Sequence, residues 1–227
     1  NCAYGIYSLP PLTIDKLEPN VVVSIVGGRR PMNNKPDDQE DCRKLRESWL
    51  PKTSNPLIIF ENYPLTDRGW YLPAFTPHSL GKSINATKGV SQGEDIWLSM
   101  LQEFEKQPDL GLNHFMVYFT QRMYWGGQAA DVDALFREYC RLFYGPAEQE
   151  MLAFFAHCEA NWQAIEKDKA LADTALALFE KAKSKADATN IYGRRLAMID
   201  VFLKGLRNKS AQLGRKRGPV PVLRLVS

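Results

Sequence analysis

Residues 55–64 read NPLIIFENYP. NPLIIFE reads as a strand, an apolar run that ends in Glu61, Asn62 and Tyr63. The run is short enough for a strand and shows no polar alternation, so it reads as a buried strand rather than a half-solvated one. Driving a buried run into a carboxylate is costly unless the carboxylate emerges into a polar cleft. About thirty residues on, KGVSQGEDIW at 88–97 repeats the design: a short apolar piece meets Gly93, Glu94, Asp95 and Trp97. Upstream, NVVVSIVGG at 20–28 is a continuous β-branched run, the pattern of a strand buried on both faces, and NCAYGIYSL at 1–9 is a further strand candidate.

Helical patterns separate these runs. DQEDCRKLRESWL at 38–50 carries Leu45, Trp49 and Leu50 on one side, with Asp37 or Asp38 placed as cap. PHSLGKSINAT at 77–87 and GLNHFMVYFTQRMYW at 111–125 complete the set. Strand and helix in alternation with short links mean parallel βα units, expected over residues 1–127. Residues 128–213 read as helix only. Asp131 starts a stripe of Val132, Leu135, Phe136, Tyr139, Leu142 and Phe143, YGPAEQ breaks it, and further stripes follow at Met151–Ile165, Leu178–Ala182 and Tyr192–Leu206. These stripes are core positions. Residues 214–227 form a basic, Pro-containing linker tail.

The totals set bounds. The chain has 227 residues with 44% hydrophobic and 11% aromatic content, enough to build a core. The net charge is +3, but Arg215, Lys216, Arg217 and Arg224 lie in the tail, which leaves −1 for residues 1–213. A near-neutral body argues against nucleic acid as a partner. No run approaches the roughly 20 apolar residues of a membrane span. No leader is visible, and because the chain opens directly in a strand pattern, Asn1 is read as a start other than the native one. The four cysteines, Cys2, Cys42, Cys140 and Cys158, lack CxxC spacing and read as free thiols. His78, His114 and His157 lack metal-ligand spacing, so no structural metal is expected.

About four strands are present. An open four-stranded parallel sheet and half of a barrel both fit, whereas a complete eight-stranded barrel needs about 250 residues. In such folds ligands sit at the carboxyl ends of the strands. Glu61 and Glu94 occupy that position as the acidic candidates for a chemical role. Around them Tyr4, Tyr7, Arg29, Asn62, Tyr63, Trp70, Asp95 and Trp97 are the candidate substrate contacts. Carboxylates among aromatic planes suit sugar: rings stack on pyranose faces, carboxylates accept hydroxyl hydrogens, and a pair of them can cleave a glycosidic bond. Arg29 or Arg30 suits the carboxylate of a uronic acid. The competing reading of each Glu is a helix-cap partner or half of a salt bridge. GGRR at 27–30 lacks the spacing and the Lys-Ser/Thr ending of a phosphate loop.

NVVVSIVGGRR, NPLIIFENYP, KGVSQGEDIW and DVDALFREYCRLFYGPAEQEM, in that order, resemble the second half of the bacterial family called domain of unknown function 4838. The resemblance covers roughly residues 1–165. That family looks like a glycoside hydrolase barrel, similar to the α-glucuronidases and the β-hexosaminidase-like enzymes. The resemblance implies that residues 1–127 form the C-terminal half of a (β/α)8 TIM-type barrel and that an all-α extension follows. It further implies a missing N-terminal barrel half and a β-rich module downstream. A secreted, periplasmic or cell-surface bacterial location is implied as well. In related barrel hydrolases the general acid comes from an earlier strand, so this chain would hold part of a site and be inactive alone. No cofactor is expected, since carboxylates and water suffice for the chemistry. The alternatives from other classes are a non-catalytic carbohydrate-binding or scaffold module, and a helical interaction domain that the sheet merely supports.

Overall fold

A computed structural model describes residues 2–26, 36–61, 76–96, 110–127 and 130–215. Four parallel strands, β1 (Cys2–Ala3), β2 (Ser24–Val26), β3 (Leu57–Glu61) and β4 (Ser91–Ile96), form one sheet in the order β1-β2-β3-β4. Spatial order equals chain order, so each connection steps to the neighbouring strand in the same direction. Right-handed crossovers taken in one direction place their helices on one face of a sheet.

The register shows that face. Ala3 pairs with Ile25, Ile25 with Ile59 and Ile59 with Glu94, and this row lies on the side where Ala3, Ile25 and Leu57 pack against Trp49 and Leu45 of α1 (Pro36–Trp49). The opposite row carries Cys2, Ser24, Val26, Ile58, Phe60 and Asp95, of which Cys2 and Asp95 are exposed and the others half-buried. The apolar run around β2 suggests cover on both faces; among the described residues only one face is fully covered.

Two strands differ from expectation. NCAYGIYSL pairs only at Cys2–Ala3, because Gly5 takes a positive φ of 57° and the chain turns into a 3₁₀ turn at Gly5–Tyr7. At the other edge β4 continues to Ile96, so Glu94 stands inside the strand rather than at its end.

The remaining helices are α2 (Pro77–Thr87), α3 (Leu110–Trp125), α4 (Val132–Tyr144), α5 (Glu148–Asn161), α6 (Lys169–Lys183) and α7 (Ile191–Gly214). The stripes of α4 to α7 fall where expected, with one exchange. Leu142 is exposed, and Cys140 and Tyr144 fill the α4 face instead. One continuous core joins Leu80 and Ile84 of α2, Phe115 and Phe119 of α3, and the inner faces of α4 to α7. Helices before and after the expected boundary near residue 128 therefore share one interior. Cys140 and Cys158 are buried free thiols, and burial pushes both well above the usual thiol range. No described helix is long and apolar enough to cross a membrane.

Side-chain caps set three helix starts. Asp131 accepts from the Ala134 amide at 3.0 Å, Asp168 from the Ala170 amide at 2.8 Å and Asn190 from the Gly193 amide at 2.9 Å. The YGPA break ends α4 at Gly145, with φ 51° and ψ −112°, a region open essentially to glycine. A Cβ at this position would also lie 2.6 Å from the Tyr192 ring of α7. Gly145→Ala is expected to lower the unfolding free energy by about 1–3 kcal/mol in a urea titration, since strain and contact add.

Candidate functional site

Parallel strands bring their carboxyl ends to one edge of the sheet. Tyr4 follows β1 there, and β3 and β4 end there in Glu61 and Ile96. Tyr4 and Tyr7 flank the Gly5 turn and are 64% and 75% exposed, so both rings are available to a ligand. Asp95 is exposed and pairs with Phe60, which puts it on the open face. Arg29, Asn62, Tyr63, Trp70 and Trp97 lie outside the described residues, as do Arg30 and Tyr71.

Glu61 is completely buried. The alternation of β3 puts it with Leu57 and Ile59, on the α1 side of the sheet. Arg46, in the last turn of α1, is buried as well and lies close enough to feel the Glu61 charge. Helical side chains lean toward the helix N-terminus, which carries the guanidinium up along the sheet. Burial pulls the Arg46 guanidinium below its usual range, while Cys42, Glu61 and Glu47 act against that pull.

Glu94 owes its face to a bulge. Leu57 pairs with Ser91, but the next residue, Ile58, pairs with Gly93, so β4 spends one extra residue there. Ser91 Oγ stabilises the step, donating to Gly93 O at 2.6 Å and accepting from the Gly93 amide at 3.1 Å. Without the extra residue Glu94 would stand beside Phe60 on the open face. With it, Glu94 stands beside Ile59 on the helix-covered face, because a one-residue slip exchanges the two faces of a strand. Burial there pushes the Glu94 carboxyl up to about 8. The acid is thus largely protonated at neutral pH.

The structure therefore brings Tyr4, Tyr7, Glu61, Glu94 and Asp95 to one half of the sheet but divides the carboxylates between its faces. Two features escaped the sequence reading. Ile6 and Leu9 are exposed beside Tyr4 and Tyr7, where the YGIYSL pattern suggested a strand, and Leu12 is exposed further along. His78, Asp133 and Glu159 meet on three different helices, and no local spacing announces them. Among the described residues no group of three or more His, Cys, Asp or Glu side chains is placed to hold a metal ion.

Neither a family model, a curated protein nor a solved structure matches the chain.

The burial of Glu94 has a pH signature. Its folded pKa lies above the ordinary carboxylate value of about 4.3, so the folded chain holds a proton that the unfolded chain releases between that value and about 8. Stability from this group is complete below the lower value and lost as pH rises to the upper one. Glu94→Gln should gain stability over the native chain between pH 5 and pH 8, on the order of 1–3 kcal/mol, in paired denaturant titrations. An equal difference at both pH values would show that Glu94 titrates normally.

Proposed function

We propose that the chain is the C-terminal half of a (β/α)8 barrel of the glycoside hydrolase type with a helical extension, and that it acts on or binds a carbohydrate at the carboxyl edge of its sheet. The observation that carries this reading is the sequential parallel order β1-β2-β3-β4 with one helix-covered face. A doubly wound sheet reverses its strand order and covers both faces. A barrel keeps one direction and turns the uncovered face inward, where large side chains fill the interior. Val26, Ile58 and Phe60, half-buried on the open face, have the size and polarity for that role.

Residue chemistry supports the step from fold to sugar. Tyr4 and Tyr7 offer exposed rings at the carboxyl edge, and Asp95 offers a carboxylate on the open face. Arg29 would add a cation suited to a uronic acid. A hydrolytic pair needs two carboxyl groups about 5–9.5 Å apart on opposite sides of the bond to be cut. Glu61 and Glu94 share the helix-covered face and do not offer that arrangement to a ligand on the open one. This favours sugar binding by the chain itself, with catalysis completed, where it occurs, by carboxylates of the preceding barrel half. The same division of faces supports the second reading, a non-catalytic carbohydrate-binding module.

A binding and hydrolysis screen with uronic acid and N-acetylhexosamine oligosaccharides tests the proposal. The native chain is expected to bind without turnover. Tyr4→Ala and Tyr7→Ala are each expected to weaken binding roughly tenfold, and Glu61→Gln and Glu94→Gln to leave it unchanged. Turnover by the native chain that either Gln variant loses while still binding would restore that Glu as a chemical group. Failure of every sugar to bind would sink the carbohydrate reading.

A further inference from the structure

His78 is the second residue of α2, behind Pro77. Both of its ring nitrogens face carboxylates: Nδ1 lies 2.6 Å from Glu159 Oε2 on α5, and Nε2 lies 2.9 Å from Asp133 Oδ1 in the first turn of α4. The Phe136 ring of α4 meets the imidazole edge-on, with centroids 6.3 Å apart. A neutral imidazole carries one N–H and must present a lone pair to one of these two carboxylates. Only the imidazolium donates to both.

The backbone takes part as well. Thr76, the N-cap of α2, makes no side-chain cap bond. Instead Glu159 Oε1 accepts from the His78 amide at 2.9 Å. A carboxylate at a helix start also meets the positive end of the helix dipole. Glu159 thus holds α2 by ring and backbone together.

We propose that His78, Asp133 and Glu159 form a protonation-dependent latch that ties the start of α2 to α4 and α5. The charges that act on the ring are Asp133 from α4 and Glu159 from α5. One turn further along their helices, Lys82 follows His78 and Arg137 follows Asp133. Burial lowers the affinity of the ring for its proton, but the two carboxylates outweigh it and hold His78 above the ordinary histidine value. The latch is complete below about pH 6.5, the unfolded value, and releases as pH rises through the higher folded value. It does not depend on the carbohydrate reading.

Proton NMR titration of the three histidines in the full chain, together with thermal unfolding of the native chain and His78→Gln, tests the latch. His78 is expected to titrate above His114, which burial and the Arg195 charge hold low. The gap in melting temperature between native and His78→Gln is expected to be widest near pH 5.5 and to close by pH 9. Over the same span the protection factor of the His78 amide should fall roughly tenfold in the native chain. Glu159→Gln should lower the His78 midpoint and abolish the amide protection. A melting-temperature gap that stays constant with pH, or a His78 midpoint at or below that of a free histidine, overturns the proposal.

Discussion

Phe115 of α3 stacks on Phe155 of α5, with ring centroids 5.3 Å apart, and the main core grows around this contact. Phe136, Tyr139, Tyr144 and Phe154 surround the pair, and Phe179 of α6 extends the chain of rings through Phe154. Each such ring removes a large apolar area from water, and offset or tilted packing adds to that gain. The contact matters because α3 follows the last strand of the sheet while α5 belongs to the all-helical part. Through it the helices of the α/β region and those of the extension share one interior. Leu80 and Ile84 of α2 and Ile96 of β4 reach the same core, so the β3–β4 edge of the sheet is anchored on the bundle. The β1–β2 edge rests on a smaller cluster of its own under Trp49, whose indole donates to Ser8 O at 2.7 Å.

A second constraint acts at the scale of a single residue. The bulge between Ser91 and Gly93 decides which carboxylate of β4 meets solvent and which meets the helices. Asp95 goes to the open face with Phe60, and Glu94 goes to the covered face with Ile59. Burial then makes Glu94 a weak acid, whereas Glu61 is buried near the guanidinium of Arg46. Two glutamates that look equivalent along the chain thus meet different electrostatic surroundings. Neither surrounding is the open, opposed pair that glycoside hydrolysis asks for.

Much of the fold was legible in the sequence. PHSLGKSINAT coincides with α2, Asp131 caps α4 as its position suggested, and the residues marked by the apolar stripes of α5 to α7 are buried or half-buried. Strand, helix, strand, helix predicted a parallel sheet, and the sheet is parallel. The candidate site was legible only as a neighbourhood. Chain order showed that Tyr4, Glu61 and Glu94 belong near one edge, but not which way each side chain points. The signal for the bulge was present in Gly93, since glycine inside a strand pattern often marks one, yet a Gly alone does not say where the extra residue falls. The meeting of His78 with Asp133 and Glu159 had no sequence signal, because its members are 55 and 81 residues apart.

By itself, then, the sequence determined the periodicities, the caps and the breaks, because those depend on a residue and its neighbours within about one turn. It determined a chain of parallel βα units followed by amphipathic helices, and it placed aromatic and acidic residues after the strand patterns. Tertiary structure alone decided the strand register, the face each carboxylate occupies and the joining of two predicted regions into one core. These depend on contacts between residues far apart in the chain. A displacement of one position in β4 is enough to exchange an exposed acid for a buried one.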